Sequence, residues 1–341
     1  MIFRGIIPCH LLASILLTFT FPVLGQFGDF NQFNQALMYN NPGSLTEKDD
    51  MSFTTNYRKR SIDSGFGTTT TAFSYISPIY KGKYSIDRFG ALGITVFNEQ
   101  AGSNGMLKMQ GAMAGLALSA DLTPGLKLSF GAQVGYKTRK IDVSNITTDS
   151  QFGLEGYDPS RDIGEIFNIR KKTAMTISSG LKWYIIDKDQ RVRGYFGFAI
   201  FNLDRGEIAF TDALDFLIRR YVTMAGYRVV KIWDIEIIPN IRSVRQEKQD
   251  QFNYGLTIQK FYKIKDHDQE GKFALNAWLN FENTFIFSFE YCHKHLTFSV
   301  GYDIPFSDKV SSKLANNALE VSLGWKFMNV MNKKINRAKS S

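Results

Sequence analysis

Apolar residues alternate with polar or small residues along many short stretches of this chain. From Leu126 to Lys137, every even position is apolar and every odd position is small, polar or charged. Successive side chains of a β-strand point to opposite faces, so the pattern predicts a strand with one wholly apolar face. The stretch also reaches the roughly 9–11 residues that a tilted strand needs to cross a bilayer.

The same alternation predicts about fourteen strands from Met51 onward. The last of them is the clearest, because Leu319, Leu323, Trp325 and Phe327 share a face opposite Glu320. The predicted strands begin near Met51, Thr68, Phe89, Leu107, Leu126, Lys172, Arg191, Ile218, Trp233, Gln251, Lys272, Thr284, His295 and Ala318.

Loop lengths distinguish a membrane barrel from a soluble β-sandwich. Long segments follow several odd-numbered strands, as between Ile141 and Lys171, whereas short turns such as Leu122–Gly125 follow most even-numbered strands. This arrangement is typical of outer-membrane barrels, and an open sheet edge is not tolerated in hydrocarbon. We therefore predict an all-β fold, a transmembrane antiparallel β-barrel of about 14 strands with both termini in the periplasm. A soluble secreted sandwich fits the long strands and the closing aromatic residues less well.

The chain divides into four predicted parts. Residues 1–25 carry Arg4 ahead of an apolar run and are typical of a secretory signal peptide. Residues 26–50 are rich in Asn, Gln and aromatic residues and lack strand alternation. We interpret them as an N-terminal periplasmic arm and hypothesise that it plugs the lumen or staples the barrel. Residues 51–328 form the predicted barrel, and residues 329–341 form a basic periplasmic tail.

Composition agrees with a barrel and argues against nucleic-acid binding. Hydrophobic residues make up 44% of the chain, as expected when only alternate strand residues face lipid. The 29 Phe and 15 Tyr residues suffice for aromatic girdles at both membrane interfaces. The net charge of +9 comes from Lys and Arg spread along the chain, which indicates a solvated surface rather than a nucleic-acid site.

No catalytic or cofactor motif stands out in the sequence. It lacks a phosphate-binding glycine loop and the GxSxG, HExxH and paired CxxC motifs. His293 and His295 are two residues apart, but no third metal ligand accompanies them. Asp158 and its acidic neighbours in the longest loop lack the spacing of a calcium-binding hand. We predict a non-enzymatic protein without cofactor or metal; an outer-membrane enzyme would need a constellation that the sequence does not reveal.

Three stretches resemble the PorP/SprF family of outer-membrane proteins of the Bacteroidetes type IX secretion system. The first is the arm, FNQFNQALMYNNPG, although Asn34 replaces the usual Ser and Gly43-Ser44-Leu45 replaces A-x-A-G. The second comprises NYRKR at residues 56–60 and FGLEGYDPSRDIG at residues 152–164. The third is FSVGYDIPFSDKV at residues 298–310 with the closing strand LEVSLGWKF. The family-like residues are Phe30, Phe33, Gln35, Tyr39, Asn41, Pro42 and Gly43 in the arm, and Glu320, Leu323, Trp325 and Phe327 in the closing strand.

The resemblance implies a role without an active site in the bacterial outer membrane. Members of this family support export through the type IX system or surface attachment of its products, some of them with large gliding adhesins. The implied partners are type IX components, secreted surface proteins and outer-membrane lipid, with no nucleic acid. Our candidates for partner binding lie in the longest loop and are Glu155, Tyr157, Asp158 and Asp162. The competing hypothesis is a channel or transporter for small hydrophobic solutes, because such barrels also have about fourteen strands and an N-terminal plug.

Overall fold

The computed structural model consists of a long antiparallel sheet and a short segment ahead of it. It describes residues 30–61, 67–81, 88–102, 105–142, 149–153, 156–158, 160–161, 171–188, 191–208, 216–247, 249–264, 270–280, 284–306 and 317–327. The strands are β1 (Met51–Arg60), β2 (Thr68–Tyr80), β3 (Arg88–Ala101), β4 (Leu107–Thr123), β5 (Leu126–Ile141), β6 (Phe152–Gly153), β7 (Gly156–Tyr157), β8 (Lys171–Ile186), β9 (Val192–Phe201), β10 (Arg220–Tyr227), β11 (Val230–Ile232), β12 (Ile235–Gln246), β13 (Gln249–Lys263), β14 (Glu270–Asn280), β15 (Thr284–His293), β16 (Leu296–Pro305) and β17 (Ala318–Phe327).

The sheet closes into a barrel of 14 strands. Each wall strand pairs with its neighbour in antiparallel order, and β1 pairs with β17 from Met51 opposite Phe327 to Arg60 opposite Ala318. Strand β11 pairs only with β12, which also pairs with β10 further along its length. Strands β6 and β7 form a separate small hairpin. Closure satisfies the backbone amides of both would-be edge strands, as a membrane environment requires.

The fourteen strand starts predicted from alternation are confirmed to within two residues. Sequence patterns did not predict β6, β7 or β11, because two- and three-residue strands are too short to show a period. We call the end where β1 begins and β17 ends the terminal end, and the opposite end the loop end. The long connections from Ile141 to Lys171 and from Phe201 to Arg220 lie at the loop end.

The wall is apolar outside and polar inside. Along β1, Phe53 is 51% exposed, whereas its neighbours Ser52 and Thr54 are buried. Strand β5 shows the predicted order, with Phe130 outward and Gln133 inward. An exposed apolar band around a buried polar face is the reverse of a soluble protein and suits a barrel embedded in lipid.

The segment ahead of β1 packs against the inward face of the wall. It contains helix α1 (Leu37–Asn40) and a 3-10 helix (Pro42–Glu47) that starts on Pro42, where a missing N–H costs nothing. None of the helices in the described ranges is long and apolar enough to cross a membrane. The apolar side chains of this arm meet inward-facing wall residues in one buried cluster: Phe30, Ala36, Leu37, Met38, Leu45, Ala72, Ile76, Ala91, Phe97, Met113 and Ala117.

Candidate functional site in the barrel lumen

A buried cluster of charges holds the start of the arm near the loop end. We call it the clasp, and it consists of Asn31, Gln32, Arg58, Asp303 and Glu320. The backbone N–H groups of Asn31 and Gln32 donate to the two carboxylate oxygens of Glu320 at 2.7 and 2.9 Å. The Asn31 amide donates to Asp303 at 2.7 Å, and the Gln32 amide donates to the Glu320 carbonyl at 2.9 Å. Bonds from backbone N–H to a carboxylate are charge-assisted and stronger than neutral ones.

The clasp lies on the seam where the first and last strands meet. Arg58 and Glu320 are cross-strand partners of β1 and β17, with Nε of Arg58 3.7 Å from Oε2 of Glu320. The same guanidinium reaches Asp303 of β16 at 2.8 Å. All three side chains are at most 5% exposed. One guanidinium thus faces two buried carboxylates, and the arm supplies the remaining donors.

A second attachment, which we call the cradle, holds the Asn41-Pro42-Gly43 turn against β5, β8 and β9. The Asn41 amide donates to the carbonyls of Leu181 and Phe198 at 2.9 and 3.3 Å, and its Oδ1 accepts from the Gly43 N–H at 2.8 Å. The hydroxyl of Ser129 donates to the Gly43 carbonyl at 2.8 Å. The three bonds to Leu181, Phe198 and Ser129 require the turn to lie directly on the wall.

Two wall glycines make that close approach feasible. A Cβ added at Gly131 would lie 2.3 Å from the carbonyl carbon of Pro42, and one at Gly180 would lie 2.1 Å from Oδ1 of Asn41. Any side chain at either position would collide with the turn, so absence of a Cβ is the feature that the cradle needs.

Aromatic rings fix the middle of the arm. Phe33 packs edge-to-face on Trp278 of β14 with centroids 5.0 Å apart, and the Arg242 guanidinium lies 4.2 Å above the Phe33 ring. Tyr39 contacts Phe30 and Phe97 edge-to-face at 5.2 and 6.1 Å. Desolvated aromatic and cation–π contacts of this kind add to the area that the rings bury.

The arm fills the space that it enters. Lumen-facing Thr95 and Ser129 on one side of the barrel, and Asn253 and Ser299 on the other, are at most 2% exposed. A cavity of about 30 Å³ lies between the arm and the wall near Lys182. That volume suits water-sized molecules and is far smaller than a small-molecule site.

A second charge cluster at the terminal end is built from wall residues and turns alone. Arg228 pairs with Asp187 in the β8–β9 turn and with Glu236 of β12, at 2.6 Å for the latter. Gln259 donates to Glu236 at 2.8 Å, and Lys231 lies 3.4 Å from Asp187. Burial opposes ionisation of Asp187, but hydrogen bonds from Arg228 and from the Arg191 N–H outweigh it and lower its pKa to about 2.

The predicted site residues fall into three groups. The arm residues and Glu320 meet in the lumen, and Gln35 is buried there, with its N–H bonded to the Gln32 carbonyl at 2.9 Å. Leu323, Trp325 and Phe327 point outward instead. At the terminal end Trp325 stacks on His295, and Phe327 packs edge-to-face on Phe53. Sequence reasoning missed Asn31, Gln32, Arg58 and Asp303; the signal for Arg58 was a charge on the polar face of β1.

The loop candidates are only partly described. Glu155 and Asp162 lie outside the described residues, and Tyr157 belongs to β7. The Asp158 carboxylate accepts from the Ser160 hydroxyl and N–H at 2.6 and 2.9 Å, which lowers the pKa of Asp158. In the described ranges no group of three His, Cys, Asp or Glu side chains lies close enough to hold a metal.

A family model described as type IX secretion system membrane protein PorP/SprF matches residues 25–325. The chain belongs to this family. It is therefore a membrane component of type IX secretion, and its closed barrel with an apolar exterior identifies it as an outer-membrane protein. The three stretches that resemble the family each supply part of the clasp: Asn31 and Gln32 from the arm, Arg58 from NYRKR, and Asp303 and Glu320 from the C-terminal stretches.

Solved structures with a similar fold are outer-membrane barrels of low sequence identity. The Ralstonia pickettii toluene transporter TbuX shares 12% identity over 86% of this chain and 94% of its own, with a TM-score of 0.49. The P. putida toluene transporter TodX shares 10% over 88% and 95%, with a TM-score of 0.47. A Pseudomonas aeruginosa FadL homologue shares 9% over 86% and 94%, with a TM-score of 0.45. No curated protein matches the chain.

Proposed function

We propose that this protein is a non-enzymatic scaffold of type IX secretion that supports export or surface attachment of secreted proteins through protein–protein contacts. The observation that carries the proposal is the filled lumen. The arm is held at the clasp and at the cradle, and wall side chains on opposite sides of it are buried. A barrel closed in this way offers its rims and loops to partners rather than a path for solutes.

The longest loop is the first place to expect a partner. It contains the β6–β7 hairpin, on which Phe152 is 56% exposed, and the Asp158 and Arg161 side chains paired at 3.6 Å. An exposed aromatic residue beside charged groups suits the composition of protein interfaces. Glu155, Tyr157, Asp158 and Asp162 are our proposed contact residues.

Gentle solubilisation and affinity purification of the tagged protein test the proposal. We expect type IX components or a large secreted surface protein to co-purify. Replacing residues 150–163 with a Gly-Ser linker should abolish that association. Replacing residues 307–316, which connect β16 to β17, is the matched control.

Conductance and solute-uptake measurements on the purified barrel test the competing channel hypothesis. If the barrel purifies alone and takes up small hydrophobic solutes with the arm in place, the scaffold proposal is wrong and the channel hypothesis is correct. Deleting residues 26–50 should raise the conductance, because the deletion removes the contents of the lumen. Unchanged folding and conductance after that deletion would contradict the plug role of the arm.

A further inference from the structure

Six neighbouring strands carry a row of cationic and polar side chains on their outward face at the loop end. The residues are direct cross-strand partners in the pairings of β1 with β2, β2 with β3, β3 with β4, β4 with β5, and β5 with β8. From β1 to β8 the row is Lys59, Thr69, Gln100, Lys108, Lys140 and Lys171. The row contains four lysines and no carboxylate.

Three of these lysines are consecutive. Lys108 faces Lys140 and Lys140 faces Lys171, on strands that lie about 4.8 Å apart. Like charges placed directly opposite each other on a sheet are destabilising. None of the four lysines forms an ion pair with any residue that the structure describes. The repulsion in this row is therefore not relieved by the described part of the protein.

Two other cations at the same end have acidic partners. Arg245 of β12 also points outward, and its guanidinium binds the cross-strand carboxylate of Asp250 at 2.6 and 2.9 Å. Lys172, next to Lys171 but on the other face of β8, pairs with Glu207 at 3.0 Å. The outward row of β1 to β8, in contrast, combines four lysines without an acidic partner among the described residues.

The residues below the row change in the order that a membrane leaflet requires. One step nearer the middle of the barrel the outward side chains are uncharged and polar: Tyr57, Thr71, Asn98, Gln110, Thr138 and Thr173. The next step on β2 to β8 is apolar: Phe73, Val96, Ala112, Tyr136 and Met175. A membrane leaflet changes in the same order over a similarly short distance, from hydrocarbon through the polar ester groups to the headgroup phosphates.

We propose that the lysine row binds the phosphate groups of lipids in the outer leaflet, lipopolysaccharide above all. The row is continuous with the lipid-facing band, so its occupant has an acyl part below and an anionic head at the level of the ammonium groups. Lysine suits this task, because its long apolar stem lies along the wall while the charge reaches the headgroup level. Each basic residue near an anionic surface strengthens the attraction, and salt screens it. This inference is independent of the proposed function.

Binding of bisphosphorylated lipid A to the detergent-solubilised protein, followed by native mass spectrometry, tests the proposal. Changing Lys59, Lys108, Lys140 and Lys171 together to Gln should weaken binding at least about tenfold. The matched control changes four exposed lysines of the terminal end to Gln, namely Lys188, Lys260, Lys263 and Lys294, and should bind as the unchanged protein does. The heat-dependent mobility of the folded barrel verifies that both variants fold.

Further measurements identify the chemistry that the row recognises. Replacing the four lysines by Arg should preserve binding, and dephosphorylated lipid A should bind as weakly as bisphosphorylated lipid A does to the Gln variant. Equal losses in the two quadruple Gln variants, or equal binding of phosphorylated and dephosphorylated lipid, would overturn the proposal. Inorganic phosphate that binds as tightly as the lipid would also overturn it, since the row would then be a site for free phosphate.

Discussion

Two charge clusters at opposite ends of the barrel have the same central composition and different surroundings. In each, one arginine bridges two carboxylates: Arg58 with Asp303 and Glu320, and Arg228 with Asp187 and Glu236. The terminal-end cluster has further cations, because Arg191 lies 3.6 Å from Glu236 and Lys231 lies near Asp187. The clasp has no second cation among the described residues and is completed by backbone N–H groups of the arm.

The difference shows how the wall makes the arm necessary. Two buried carboxylates with one guanidinium leave uncompensated charge, which is costly in a low-dielectric interior. The wall could have supplied a second cation, as it does at the terminal end. At the clasp, the wall instead presents a carboxylate that accepts from two successive N–H groups of the arm. The arm and the β1–β17 seam therefore stabilise each other.

The largest expected effect is loss of the arginine at the clasp. Arg58→Met should lower the free energy of unfolding by about 3–5 kcal/mol, because it leaves two buried carboxylates without a cation. Arg228→Met should cost less, about 1–3 kcal/mol, since Arg191, Lys231 and Gln259 remain beside its carboxylates. Urea unfolding, followed by the mobility of the folded barrel, measures both.

An exposed pair provides the control for this comparison. Arg245 and Asp250 have side chains 64% and 42% exposed, so water screens the pair and Arg245→Met should change the free energy of unfolding far less than either substitution of a buried arginine. If Arg58→Met and Arg228→Met cost the same, the extra cations at the terminal end do not matter and the comparison fails.

A smaller effect is expected from the cradle. Gly131→Ala places a Cβ against the Pro42 backbone and should weaken attachment of the arm by about 1–3 kcal/mol while the clasp remains intact. Maleimide labelling of a cysteine introduced by Ser44→Cys, in a Cys292→Ser background, reports exposure of the arm. Labelling should accelerate by about 5- to 150-fold.

The matched glycine variant lies on the same inward face away from the arm. At Gly324 the nearest atom to an added Cβ is Cβ of Thr297 at 3.3 Å, so Gly324→Ala should leave the labelling rate unchanged. Equal acceleration by both alanine substitutions would indicate a general loosening of the barrel and would refute a specific cradle.

The smallest effect concerns the pH dependence of the terminal-end cluster. The pKa of Asp187 is lowered to about 2, so its charge stabilises the folded state above its ordinary pKa of 3.8 and stops doing so as pH falls through about 2. The stability difference between the unchanged protein and Asp187→Asn should therefore be full at pH 7 and vanish between about pH 4 and pH 2. A difference that stays constant over this range would mean that the ionised carboxylate is not what stabilises the turn.

Alternation along the chain was sufficient to predict the wall of the barrel. The period of two assigns each residue of a strand to lipid or lumen without reference to the rest of the molecule, as Phe130 and Gln133 illustrate. The fourteen strand starts followed from the same local signal, and so did the outward position of Trp325 and Phe327. The division into signal peptide, arm, barrel and tail stays a prediction.

Only the tertiary structure identified what lies together in the lumen. Asn31 and Glu320 are 289 positions apart, and Arg58 and Asp303 are 245 apart, so no local pattern links them. Their meeting depends on the register at which β1 closes on β17 and on the path of the arm. The role of Gly131 and Gly180 was hidden for the same reason, because a missing side chain has meaning only when the atoms that occupy its space are known. A sequence period reports the face on which a residue lies, whereas contacts between distant segments are decided by closure of the whole sheet.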